Sequence, residues 1–270
     1  MSSTTRRPPP FSMRHAFALA LDLAVRRDAL HSLIVPLVLR SPWVVALFVL
    51  PPLDVSEHPG QVKLLASVAV LGLFLTWIAV DAMLRLRARS VFNTPPATRP
   101  GAALDCYARG LRRLPWLYVT EFVRNLAFAF GFGCFVVPGV VLSYRLAFAT
   151  EAVVLDDRNL ASAFGHSWHL TRGRFERWLE MILVSVTLVL GALFFATLVS
   201  VIVRRLPWTL WEMIGTLTVV ALFPIIQYAW TFFYLRLVEV EEPERQEAEA
   251  EMAGGAAAPA TGPAEPVPHP

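Results

Sequence analysis

The chain has 270 residues, of which 56% are hydrophobic and only 17% charged, and its mean hydropathy is +0.53. Soluble domains carry about a quarter of charged residues, so this composition excludes a disordered chain and an ordinary soluble enzyme and points to a membrane protein. The net charge of +3 hides an uneven distribution: eight of the 21 acids lie at 239–270 against Arg245 alone, leaving residues 1–238 with 23 bases and 13 acids.

In chain order, residues 1–12 predict a disordered start. Arg6-Arg7 precede Pro8-Pro9-Pro10, and the apolar stretch 16–25 contains Asp22, ends in Arg26-Arg27 and lacks a small-residue cleavage site. It is therefore expected to be a retained cytoplasmic segment rather than a signal. About 20 apolar residues cross a hydrocarbon core of about 30 Å. Residues 33–53 (with Arg40, Pro36 and Pro42), 64–80 continuing to 84, 181–203 and 213–235 each predict a crossing helix. The apolar stretch 115–155 is interrupted by Pro138-Gly139, a turn signal, and predicts two crossings that meet in a hairpin at 137–140. Six crossings place 16 arginines on one side and Lys63, Arg204 and Arg205 on the other; five would give 14 against five. The asymmetry favours six, with both termini cytoplasmic. The tail 239–270 is first acidic and then rich in Ala and Pro, and is expected to be disordered. The expected architecture is thus all-α: a polytopic helical protein of a bacterial cytoplasmic (inner) membrane. Its domain, 13–238, holds six transmembrane helices as three hairpins.

Ala16-Phe17, Ala103-Leu104 and Ala163-Phe164 each open a short segment that reaches a basic pair or cluster just before a crossing. In the third, Leu160, Phe164 and Trp168 recur at i, i+4, i+8 on one helical face. Such a segment suits a short amphipathic helix in the cytoplasmic headgroup plane.

Charges inside the crossings are the usual pointer to function in such a protein. Here they are Arg40, Glu121, Arg124, Arg145 and Glu151. At 1.5 Å per residue the three arginines sit roughly 15 Å from the cytoplasmic ends of their helices. Glu121 and Arg124 are one turn apart, and the hairpin lays Arg145 and Glu151 on the neighbouring helix. Either these four neutralise one another, or they line a basic cavity for an anionic ligand such as a lipid phosphate; Arg40 stands without a partner. Asp81 and Arg85 form an i, i+4 pair at a helix end. His166 and His169 lack a third metal ligand, Cys106 and Cys134 support no disulfide framework or metal clip, and Ser143 and Ser167 lack a nucleophile-elbow context. Gly131 and Gly133 suit close helix packing. No catalytic group, metal or cofactor is expected, and no nucleic-acid partner.

The stretch Val136-Val137-Pro138-Gly139-Val140-Val141-Leu142-Ser143-Tyr144-Arg145 and its continuation to Ala149, together with Ser167-Trp168-His169-Leu170-Thr171-Arg172-Gly173, resembles a bacterial family of integral membrane proteins. Its best-named member is the membrane domain attached to some glycerophosphoryl diester phosphodiesterases. The similarity runs over about residues 16–237. The resemblance implies a six-helix membrane domain with an inward Arg145 and no activity, since no soluble segment of this sequence is long enough for the phosphodiesterase barrel.

Two functions follow as expectations. One is a non-enzymatic scaffold or accessory component in the lipid bilayer, meeting membrane or cytoplasmic proteins through its tail and basic loops. The alternative is a transporter or lipid-handling protein that binds an anionic ligand at Arg40, Arg124 and Arg145. A cavity reaching the arginines separates the second from the filled core of the first. Reporter fusions after Gly173 and after Pro270 are expected to report the same, cytoplasmic side; opposite sides would leave a single kinked helix through Pro138 and five crossings.

Overall fold

A computed structural model describes residues 13–27, 30–49, 59–92, 103–202 and 208–241. The segment 1–12 and the tail beyond 241 lie outside the described residues. Helix α1 (Met13–Leu21) runs into a π-helical stretch, Asp22–Arg27, and a second one, Leu30–Ile34, leads into α2 (Val35–Val49). Then come α3 (Pro59–Phe92), α4 (Ala103–Cys134), α5 (Val136–Arg145), α6 (Ala149–Leu155) and α7 (Leu160–Leu170). The last long pair is α8 (Phe175–Ile202) and α9 (Trp208–Arg236). A π-helical turn, Leu237–Glu241, carries the helical chain past residue 239, where the sequence suggested that order would end. Among the described residues there is no strand.

Among the described residues, four stretches are long and apolar enough to cross a membrane: Gly60–Phe92, Val136–Leu155, Phe175–Leu198 and Leu210–Glu239. The surface agrees with their composition. Only 6% of the apolar stretch of α8 is buried, and large side chains such as Phe130, Leu183, Phe194 and Phe195 lie exposed. Apolar exposure on this scale is far outside what a water-soluble monomer presents, so the fold is compatible with a multi-pass membrane protein. The segment expected at 33–53 is shorter, with 15 residues in α2.

Helix α9 is the axis of the bundle and packs against α1, α2, α3 and α8. It buries Tyr228, Ala229, Phe232, Phe233 and Leu235. Ala16, Ala20 and Ala24 recur every fourth residue on the α1 segment and are fully buried, so small side chains let it lie close to α9. In lipid such contacts stabilise by fit and dispersion rather than by exclusion of water.

The α4–α5 hairpin turns at Phe135, whose extended backbone (φ −161°, ψ 155°) separates the two helices. The turn expected at 137–140 is therefore misplaced. Pro138 falls in the first turn of α5, where its missing N–H removes no intrahelical bond. A Cβ on Gly131 would stand 2.9 Å from the Cα of Gly139, so this glycine pair is what lets α4 and α5 run back to back.

Helix α6 is the least usual element, because all seven of its residues are buried. The chain breaks between α5 and α6, and a buried break leaves backbone groups without helical partners. Ser167 of α7 meets two of them: its Oγ accepts from Phe148 N at 3.1 Å and donates to Arg145 O at 2.8 Å. At the other end Arg89 donates to Leu155 O. The side chain of Asn159 caps α7 by accepting from Ser162 N at 2.9 Å. Helix α7 buries Ala163, Ser167 and Leu170 and leaves Trp168 exposed, and Gly173, with φ +76°, turns the chain into α8.

Gly131→Leu is expected to cost about 1–3 kcal/mol, the usual penalty for overpacking, because the backbone of Gly139 cannot yield. Gly133→Leu meets nothing within 4 Å and should leave thermal unfolding of the detergent-purified protein unchanged.

Candidate functional site

Asp81 and Arg85 lie one turn apart on α3 and share a face. Glu121 and Arg124 do the same on α4, while α6 supplies Thr150 and Glu151 and α9 supplies Gln227. Arg85 is the hub of this group. Its Nε donates to Glu151 Oε1 at 3.2 Å, its Nη2 donates to Thr150 Oγ1 at 3.2 Å, and Nη2 stands 3.8 Å from Glu121 Oε1. Arg124 pairs with Glu121 Oε2 at 2.5 Å and donates to Thr150 Oγ1 at 3.0 Å. The Thr150 hydroxyl then donates to Glu151 Oε2 at 3.0 Å, and Gln227 Nε2 donates to Glu151 Oε1 at 3.4 Å. Paired and hydrogen-bonded in this way, buried charges offset much of their desolvation cost.

Arg40 is fully buried. Its Nη2 donates to Asp81 Oδ1 at 2.9 Å and to Trp77 O at 3.1 Å. Its guanidinium lies 4.1 Å from the centre of the Trp77 ring and 5.4 Å from that of Phe223, a placement that suits a flat, weakly hydrated cation. Arg40 is thus not the arginine without a partner, and the partner of Asp81 is Arg40 rather than a terminal Arg85. The cause is the packing of α2 on α3. Trp43 occupies the space that a side chain at Gly72 would fill, and this close approach carries Arg40 to Asp81.

Arg145 does not join Glu121 or Glu151. It ends α5, and its Nη1 donates to Trp168 O at 3.3 Å. Its guanidinium lies over Tyr144 and Trp168, 5.3 and 5.0 Å from the ring centres. The break between α5 and α6 is the reason, because it turns Arg145 toward α7 and Glu151 toward Arg85. A second polar group forms at the foot of the bundle. Asp156 there accepts from Arg89 at 3.3 Å and from Tyr234 Oη at 2.5 Å, Arg113 pairs with Asp157, and His166 Nε2 stands 4.0 Å from Asp156. Among the described residues no group of His, Cys, Asp and Glu is placed to hold a metal ion.

Above α6 lies a cavity of about 530 Å³ bounded by α3, α4, α5, α8 and α9, within the size range of small-molecule sites. Its charged lining is Asp81, Arg85, Glu121, Arg124 and Glu151. Asn125, Ser143 and Gln227 add uncharged polar groups, and Trp77, Phe128, Trp178 and Trp230 add aromatic faces. Three carboxylates face two guanidiniums, so this is not the basic cavity that the arginine count suggested.

Sequence reasoning left Asp81 and Arg85 as a local pair at a helix end and passed over Thr150 and Gln227. Arg85 was counted with the cytoplasmic loop arginines, yet α3 runs on to Phe92 and keeps it inside the bundle. Gln227 carried a legible signal, a lone amide in an uncharged apolar stretch.

The described residues thus form an all-helical fold, with four helices long and apolar enough to cross a membrane. A family model described as "Domain of unknown function (DUF7847)" matches residues 111–240, a little under half of the chain. The matched region holds Glu121, Arg124, Arg145, Glu151 and Gln227, while Arg40, Asp81 and Arg85 precede it. No curated protein and no solved structure matches the chain.

Arg85→Met takes from Glu151 its arginine while Glu121 keeps Arg124, and is expected to destabilise by about 3–5 kcal/mol, as loss of one buried partner does. Adding Glu151→Gln should recover part of that loss in a double-mutant cycle. Arg145→Leu removes two ring contacts, worth about 0.5–1 kcal/mol, and Glu151→Gln should not rescue it.

Proposed function

We propose that the chain is a non-enzymatic, lipid-handling protein of a bacterial cytoplasmic membrane, and that it holds a polar-headed ligand in the cavity above α6. The observation that carries this reading is the open space beside Arg85 and Arg124, where a pure scaffold would have a filled core. The cavity carboxylates are each engaged by an arginine or a hydroxyl, which suits them to position a ligand more than to exchange protons with it. One observation favours the scaffold reading instead: three arginines and three carboxylates, with Arg40 included, neutralise one another.

The six-crossing layout is supported by which helix ends meet, and the cytoplasmic placing of both termini rests on the arginine asymmetry. Phe48 near the end of α2, Leu193 in the far half of α8 and Trp211 at the start of α9 line one apolar hollow. Arg89 of α3, Asp156 beyond α6 and Tyr234 of α9 meet at the opposite end. Residues 30–49, with the π-helical turn before α2, reach the roughly 20 needed to cross. Helix α4 carries its inner charges already paired, the usual way to tolerate them at depth. Trp168 and Phe175, exposed beside Arg172 and Arg177, suit α7 to the headgroup plane.

The test is linkage. Membrane lipid added back to delipidated protein should raise its thermal stability, by about 2.7 kcal/mol at a hundredfold excess over Kd. Ser143→Trp puts an indole into the cavity from α5 and replaces none of the ion-pair residues; it should keep the delipidated stability and lose the rise. A rise of the same size in Ser143→Trp would return the scaffold reading.

A further inference from the structure

The composition of the cavity wall narrows the ligand, if the reading above holds. A receptor for an anion alone would show an excess of arginines, whereas this wall carries Asp81, Glu121 and Glu151 against Arg85 and Arg124. Asp81 gives Oδ1 to Arg40 and still lines the cavity. Trp178 and Trp230 stand on the wall as well, and aromatic faces beside carboxylates attract ammonium groups. Arg124 keeps 19% of its side chain accessible, and Arg85 supports it from below, where its Nη1 has no hydrogen-bond partner. One cavity therefore offers an anion contact at Arg124 and a cation contact among carboxylates and indoles.

Its surroundings say what the rest of the ligand is. Beyond the cavity, away from α6, the bounding helices present exposed apolar side chains: Val70 and Leu71 on α3, Leu126 and Phe130 on α4, Leu183 and Val186 on α8. A freely soluble zwitterion gains nothing there, whereas acyl chains lie against such surfaces as they do in the bilayer. From this juxtaposition of an indole-walled cavity carrying both signs of charge and exposed apolar helix faces beyond it, we infer that the ligand is a zwitterionic phospholipid. Its phosphate faces Arg124, its ammonium group faces the carboxylate and indole wall, and its chains lie along the apolar faces of the helices beyond the cavity.

The experiment incubates the full chain in mild detergent with equal amounts of phosphatidylethanolamine and phosphatidylglycerol of identical chains and reads retained lipid by native mass spectrometry. Phosphatidylethanolamine should be retained at least about tenfold over phosphatidylglycerol, a ratio equivalent to 1.4 kcal/mol. Retention should fall to background in Ser143→Trp. Glycerophosphoethanolamine, the same headgroup without chains, should fail to displace the lipid at equal concentration. Preferential retention of phosphatidylglycerol, lost in Ser143→Trp, would overturn the zwitterion assignment and leave the lipid-handling reading in place. Displacement by the chain-free headgroup would overturn the lipid assignment in favour of a soluble zwitterion. Retention unchanged in Ser143→Trp, or no retention of either lipid, would remove this inference and the cavity reading together.

Discussion

A guanidinium inside a helix bundle must be met by carboxylates, and at Arg85 that requirement ties three parts of the chain together. Arg85 comes from α3, while its partners Glu121 and Glu151 come from α4 and α6. Deletion of any one leaves a charge without compensation in a low-dielectric setting, which costs more than the intact group contributes. The group therefore acts less as a source of stability than as a constraint on arrangement. Only a packing that puts α6 beneath α3 and α4 satisfies every member, and Thr150, shared by Arg85 and Arg124, tightens that constraint.

The break between α5 and α6 exists in the service of that packing. A continuous helix from Val136 to Leu155 would carry Glu151 along the line of α5. The turn at 146–148 instead tucks the last seven residues inward, where every one is buried. Such a turn needs backbone partners, and Ser167 supplies them from α7. The stretch from Ser167 to Gly173 thereby has a structural job: it closes the break behind α6 and turns the chain into α8. Arg145, expected from the sequence to face inward, serves the same junction through Trp168 rather than the cavity.

The cavity follows from these two features. Helix α6 forms a floor, α3, α4, α5, α8 and α9 form walls, and the charges brought in to stabilise the floor become its lining. Their near balance makes the space polar without making it strongly attractive to either sign of charge. Selectivity there then depends on geometry, on which group of a ligand meets Arg124 and which meets the carboxylates and indoles. The Arg40–Asp81 pair, stacked against Trp77 and Phe223, holds one wall in place from behind.

The all-helical architecture, four of the six expected crossings, the close packing at Gly131 (though not at Gly133) and the place of Glu121, Arg124 and Glu151 inside helices were legible in the residue string. These features depend on composition, on one-turn spacing and on local backbone preference, all of which are written in neighbouring residues. Partner choice was not. Arg40 with Asp81, and Arg85 with Glu151, are joined across 41 and 66 residues, and their meeting depends on helix rotation, on the space left at Gly72 and on a helix break that no residue marks alone. Arg145 shows the same limit from the other side, since its spacing placed it among the carboxylates and the turn after it carried it away. The sequence by itself determined that Arg40, Glu121, Arg124 and Glu151 lie within helices; only the packing of those helices added Asp81 and Arg85 to them and decided which share a cavity, because a pairing energy exists only after distant segments are brought within a few ångströms.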